Sequence, residues 1–171
     1  MKTIEMELAL LHYFRFNQNV VVPRVMSGWL VNHECDIISL TKSKYATEAE
    51  IKVSKSDLRK DSKKKHNHLD KKIKYFYFAV PEDLEDYAKE HIPRRAGLLI
   101  VRKIPINYYV KRKGDLTGDR YSVHKVIEAK ATNGAVQWRE KDRMNLLRIG
   151  AMRVVALMSK LIETTIWEKE K

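Results

Sequence analysis

The sequence predicts an α/β fold, with a mixed central β-sheet flanked by helices and a long C-terminal helix, and three stretches carry that prediction. Cys35 to Leu40 and Thr47 to Val53 alternate polar with apolar or small residues, the two-residue period of strands, and the polar run between them closes a hairpin. Ile73 to Val80, Pro81 to His91 and Gly97 to Val101 read strand, helix, strand, an order that implies a right-handed crossover and a parallel pair. Trp138 to about Thr165 is the longest helical pattern, with Met144, Leu147, Ala151, Val154, Val155, Met158, Leu161 and Ile162 on an apolar side.

The remaining elements follow in order. Lys2 to about Phe16 reads as a helix, because Ile4, Leu8, Leu11 and Phe14 recur at the helical period. Asn19 to Val25 is a strand in which Pro23 points to a sheet edge or a bulge. Ser27-Gly28-Trp29 breaks it, and Trp29 to Val31 can join the strand leading into Asp36. His33 reads as an exposed or satisfied histidine, and Glu34 as a secondary site candidate two residues before Asp36. After Lys52 the chain leaves the sheet, and Ser56 or Asp57 can cap a strongly basic helix running to about Lys72. The aromatic strand from Ile73 has apolar residues on both faces and should be central and buried. Pro81 with Glu82 and Asp83 opens the next helix, and Pro93 stops it. Short strands are expected at Ile106 to Val110 and Tyr121 to Ala129, separated by an exposed basic loop over 111–120. The long C-terminal helix is expected to pack on the sheet or against a second copy, making a homodimer.

Length and composition narrow the function. A chain of 171 residues suits one domain burying roughly two-thirds of its unfolded surface. Its 34 Lys and Arg against 22 Asp and Glu give a net charge of +12, which favours a polyanionic partner, DNA first. No apolar run approaches the roughly 20 residues that span a bilayer, and the N-terminus lacks a signal-peptide core, so a cytoplasmic location is expected. One cysteine, Cys35, excludes an internal disulfide and a cysteine-rich zinc cluster.

The hairpin carries the chemistry. With its turn near Ser43 and Lys44, facing residue numbers sum to about 87, to within one register step, and Asp36 falls opposite Glu50 to Lys52, inside the roughly 4.5–8 Å cross-strand reach. Alternation puts Glu48, Glu50 and Lys52 on one face and Ala49, Ile51 and Val53 on the other. Carboxylates held together repel, and a divalent cation such as Mg²⁺ removes that repulsion and acidifies a bound water. The adjacent Lys52 can orient that nucleophile or neutralise charge growing on a phosphate. Phosphodiester hydrolysis is the chemistry such a constellation favours, against the plainer reading of a solvated strand face with cross-strand ion pairs.

Asp36 followed one strand later by Glu50-Ile51-Lys52 resembles the PD-(D/E)XK, or restriction-endonuclease-like, nuclease superfamily, which includes Holliday-junction resolvases and bacterial DNA-repair nucleases. The run from Glu50 to Leu58, the basic helix after it and the strand Tyr75 to Pro81 are similar to the MmcB-like DNA-repair branch. The resemblance covers about Lys2 to Val101, a core of 2–101 within one domain of 1–171, and 102–171 is an extension resting on no motif. Cys35 stands where the name-giving Pro would be. The resemblance implies that Asp36 and Glu50 bind Mg²⁺ or Mn²⁺, that Ile51 lends its carbonyl, and that Lys52 positions the attacking water. Glu7 lies on the first helix's apolar stripe, where a carboxylate needs a cation or a donor, and the resemblance would place it on the metal; Glu5 is the competing choice. Lys63 and Lys64, with Ser54 and Lys55 at the start of the basic helix, are expected to hold a nucleic-acid backbone. The function implied is a Mg²⁺-dependent endodeoxyribonuclease selecting duplex or branched DNA by structure and serving repair or recombination. Its rivals are a non-cleaving DNA-binding protein and an RNA-processing nuclease.

Overall fold

A computed structural model describes residues 1–26, 28, 30–61, 70–104 and 121–169, together with their side chains other than those of 61 and 164–169. The strand expected at Ile106 to Val110, the loop over 111–120, and Lys63, Lys64, His66 and His68 lie outside the described residues. Among the described residues the order is α1 (Thr3–Tyr13), β1 (Val20–Val25), β2 (Cys35–Leu40), β3 (Ala46–Ile51), α2 (Lys55–Asp61), β4 (Ile73–Pro81), α3 (Glu85–His91), β5 (Gly97–Lys103), β6 (Tyr121–Ile127) and α4 (Glu140–Lys169). The six strands form one mixed sheet in sequence order. β1, β2 and β3 pair antiparallel, β3, β4 and β5 pair parallel, and β6 closes the sheet antiparallel to β5. The α/β class and the parallel pair across α3 are therefore as the sequence predicts.

Both faces of the sheet are covered. α1 lays Met6, Ala9 and Leu10 against Ile37, Ala49, Ile51 and Ala79 on one face. On the other, Leu84, Ala88 and Leu58 cover Phe76, Phe78 and Leu98, while Trp138, Leu146 and Ile149 cover Val22, Ile38 and Leu40. Trp138 is fixed by its indole N–H, which donates to the Lys72 carbonyl at 2.7 Å, and it seats the start of α4. At Gly97 a Cβ would come within 2.2 Å of the Tyr77 ring, so only glycine lets β5 approach β4 there.

Several expectations change. The face α1 buries is Met6, Ala9 and Leu10, whereas Ile4 is 53% exposed, because the sheet lies nearer the Met6 side than the Ile4 stripe suggests. Residues 30–33 form bends, so Leu30 and Val31 do not extend the strand into Asp36, which begins at Cys35, and Trp29 lies outside the described residues. Ser54, not Ser56 or Asp57, caps α2: its Oγ accepts the Asp57 N–H at 3.2 Å and its carbonyl the Leu58 N–H at 3.0 Å. Lys71 and Lys72 belong to the turn before β4 and not to the basic helix. Among the described residues no helix is long and apolar enough to cross a membrane.

Candidate functional site

The site sits where β2 and β3 part. Their ladder runs from Leu40 opposite Ala46 to Ile37 opposite Ala49, a register that sums to 86 and brings Asp36 abreast of Glu50. At that step the Asp36 carboxylate takes the place of a strand partner, its Oδ2 accepting the Ile51 N–H at 2.8 Å. The Lys52 N–H turns the other way and donates to the Ala79 carbonyl on β4 at 3.0 Å. Because successive strand residues turn their backbone groups to opposite sides, the Ile51 carbonyl is on the Asp36 side. On the adjoining face Lys52 Nζ donates to Glu50 Oε1 at 2.9 Å, with the two side chains only 6% and 7% exposed. Asp36, Glu50, Ile51 and Lys52 are thus brought together.

Glu7 reaches the same edge from α1, held by a residue the sequence reading did not single out. Pro23 pairs with Ile37 and Val25 with Cys35, so Arg24 stands beside Asp36 in register. Its Nε and Nη2 donate to Glu7 Oε1 and Oε2 at 2.7 and 3.0 Å. The bond to Glu7, then the charges of Glu7 and Asp36, hold the guanidinium above its ordinary pKa against the effect of burial. Arg24 has a φ of 54°, a left-handed backbone that costs an ordinary residue about 1–2 kcal/mol. Arg153 of α4 secures this kink by donating to the Arg24 carbonyl. Glu5 goes elsewhere: it accepts from the Tyr121 hydroxyl at 2.6 Å and the Lys2 N–H at 2.7 Å. Of the two acidic candidates on α1, Glu7 is the one at the site.

A second buried polar group lies alongside. His33 Nε2 contacts both Glu48 carboxylate oxygens at 2.9 and 3.0 Å, and its Nδ1 meets Asn32 Oδ1 at 2.7 Å. His33 is satisfied, as one sequence reading had it, but buried. Ligand atoms of His33, Cys35 and Glu48 all lie within 4.8 Å of one another. This nitrogen, sulfur and oxygen set suits a softer ion than Mg²⁺. Burial, followed by the charges of Glu48, Glu50 and Asp36, pushes the Cys35 thiol far up, which disfavours the thiolate a metal needs. The oxygen set of Asp36, Glu50 and the Ile51 carbonyl, by contrast, has the hard donors that Mg²⁺ and Mn²⁺ take. Glu34 is exposed at the start of β2.

Of the residues expected to grip a backbone, Ser54 is occupied as the α2 cap. Lys55 is exposed, with its ammonium 5.3 Å from the centre of the Tyr87 ring.

No protein-family model matches the chain, and no curated protein matches it. Among solved structures it is similar to the SPO1766 protein of unknown function from Silicibacter pomeroyi. The two are 19% identical, with a TM-score of 0.57 over 94% of this chain and 90% of that one. At that identity the likeness is one of fold, and it spans nearly the full length of both chains.

Proposed function

We propose that the protein is a metal-dependent nuclease that hydrolyses DNA phosphodiester bonds, of the PD-(D/E)XK type, selecting its substrate by structure. The observation that carries this reading is the parting of β2 and β3, where Asp36, Glu50, the Ile51 carbonyl and Lys52 meet at one edge. Asp36, Glu50 and the Ile51 carbonyl would hold Mg²⁺ or Mn²⁺, which when bound supplies positive charge for the phosphate and a more acidic water. Lys52 is kept on the site by Glu50, where its ammonium can orient the attacking water and neutralise charge growing on the phosphate. The bond from the Ile51 amide fixes one oxygen of Asp36, so the carboxylate is presented in a single orientation. Arg24 holds Glu7 in reserve: Glu7 would join the metal only by exchanging the guanidinium for the ion. Lys63, Lys64 and Lys55 are assigned to the DNA backbone.

A second reading, a DNA-binding protein that does not cut, draws on one observation. Arg24 and Lys52 already neutralise Glu7 and Glu50, as ion pairs do in a site that has no need of a metal. The two readings separate in a cleavage assay on linear, nicked, single-stranded and four-way-branched DNA, with RNA controls, in Mg²⁺ and in Mn²⁺. Wild type should cut. Asp36→Asn and Glu50→Gln should lose cutting and metal binding while keeping DNA affinity, and Lys52→Ala should lose cutting with the metal still bound. Cutting that survives in Asp36→Asn places the reaction elsewhere, and no cutting by wild type on any substrate favours the binding protein.

A further inference from the structure

Among the described residues, α4 has two apolar faces and the sheet covers only one. Leu146 and Ile149 dock into the cluster of Val22, Ile38 and Leu40. On a face turned well away from these, Met144, Leu147, Ala151, Val154, Met158 and Leu161 succeed one another at spacings of three and four residues. Such a 3.5-residue repeat is the seam of a coiled coil and not the pattern of a helix seated on a sheet. These positions are exposed along the whole run: Met144 43%, Leu147 39%, Val154 56%, Met158 59% and Leu161 69%.

We propose that this seam is a homodimer interface in which α4 pairs antiparallel with α4 of a second copy, about a two-fold axis between Ala151 and Val154. Three observations select that occupant. The seam is symmetric in size: an antiparallel pair sets Met144 against Leu161, Leu147 against Met158, and the smaller Ala151 against Val154. Each layer is thus filled by the same chemistry from both chains, as a self-complementary two-fold contact requires. Charge selects the direction, because a parallel pair would set Arg143 beside Arg148 of the second copy, whereas the antiparallel pair sets Arg148 beside apolar Val155. Area is sufficient: with the flanking Val155 and Ile162 at 63% and 57% exposure, the face offers at most roughly 700 Å² per copy, inside the roughly 600–1,000 Å² share of a standard interface. The antiparallel pairing also leaves the two sheets at opposite ends of the joined helices, each on its own docked half of α4.

Dimerisation through this seam is independent of catalysis, and sedimentation velocity of the full chain from about 1 to 100 µM tests it. Wild type should sediment as a dimer of twice 20.1 kDa. Val154→Glu, and separately Met158→Lys, should yield monomers with an unchanged circular dichroism spectrum, since both side chains are exposed in one copy. Direction is read by mixing Ala151→Cys chains with Val154→Cys chains under oxidation. Cross-links between the two kinds should exceed those within either. A wild-type monomer at every concentration, or a dimer that survives both substitutions, overturns the proposal. Cross-linking of Ala151→Cys chiefly to itself overturns the antiparallel arrangement. A monomer that binds phosphatidylglycerol vesicles, and loses them in Val154→Glu, would show that a lipid surface covers the seam instead.

Discussion

Replacing Arg24 tests two features of the site at once, the ion pair with Glu7 and the left-handed backbone. Glu7 is 7% exposed at its side chain and Arg24 52%, so Arg24→Ala strands a nearly buried carboxylate while its lost partner was half in water. A fully buried pair broken this way costs about 3–5 kcal/mol, and an exposed one at most about 1. The half-exposed guanidinium places the expected loss between them, at about 2–3 kcal/mol. In a chain of this size that is a fall in melting temperature of roughly 5–10 °C. Arg24→Gly removes the same guanidinium but relieves the φ of 54°, so it should be about 1 kcal/mol more stable than Arg24→Ala. Glu7→Gln combined with Arg24→Ala should cost less than the sum of the two, because the stranded charge is gone. The assay is urea unfolding followed by tryptophan fluorescence, with all four variants in one buffer. Equal stability of the Ala and Gly variants would refute the strained backbone. Additivity of Glu7→Gln and Arg24→Ala within about 0.5 kcal/mol would refute the pair.

Three further outcomes are expected. Affinity for duplex or branched DNA should fall steeply with salt, each neutralised phosphate adding about 0.9 to the log–log slope, and reversing the charge of Lys63 and Lys64 should flatten it. A flat salt response in wild type would remove the main support for a nucleic-acid partner. Gly97→Ala should lower urea stability by about 1–3 kcal/mol, because the added methyl must displace the Tyr77 ring that a Cβ would meet at 2.2 Å; a neutral result would mean the strands are not that close. Burial opposes ionisation of Asp142, but bonds from Lys72 and the Arg139 N–H outweigh it and hold the carboxyl below its usual range. A depressed folded value gives stability that is present above the unfolded pKa of about 3.9 and lost as pH falls through the folded value. The stability gap between wild type and Asp142→Asn should therefore be full at pH 6 and shrink below about pH 4, as measured by unfolding at several pH values.

Much of the fold was legible because local rules and tertiary demands agree there. Polar and apolar residues alternate along both hairpin strands, and the turn at Ser43 and Lys44, where Lys44 takes a φ of 63°, sets a register one step from the expected sum. Pro23 was readable as an edge marker, and β1 is an edge strand. The bringing together of Asp36, Glu50 and Lys52 follows from that register alone. Arg24 was hidden because its left-handed backbone has neither Gly nor Asn to mark it, and its partners come from α1 and β2. Glu48 was placed on the right face, but nothing in the sequence pairs it with His33, fifteen residues away across a bend. On α1 the helical period offered the Ile4 stripe, and packing chose the adjacent Met6 face. On α4 the apolar side was visible, but periodicity alone does not say which part meets the sheet and which part faces water.

The bond from the Ile51 amide to Asp36 makes a side chain do the work of a neighbouring strand, and this couples the site to the breathing of the sheet. An amide inside a ladder is protected from exchange by the whole strand pair, whereas this one is protected only while a single carboxylate stays in place. Its hydrogen-exchange rate and its nitrogen chemical shift are therefore a gauge of whatever Asp36 is bound to. A cation that draws the carboxylate outward would quicken exchange at Ile51 while leaving Ala49 unmoved, so that one backbone resonance of the isotope-labelled chain would report ligation of the site without any attached probe or any turnover.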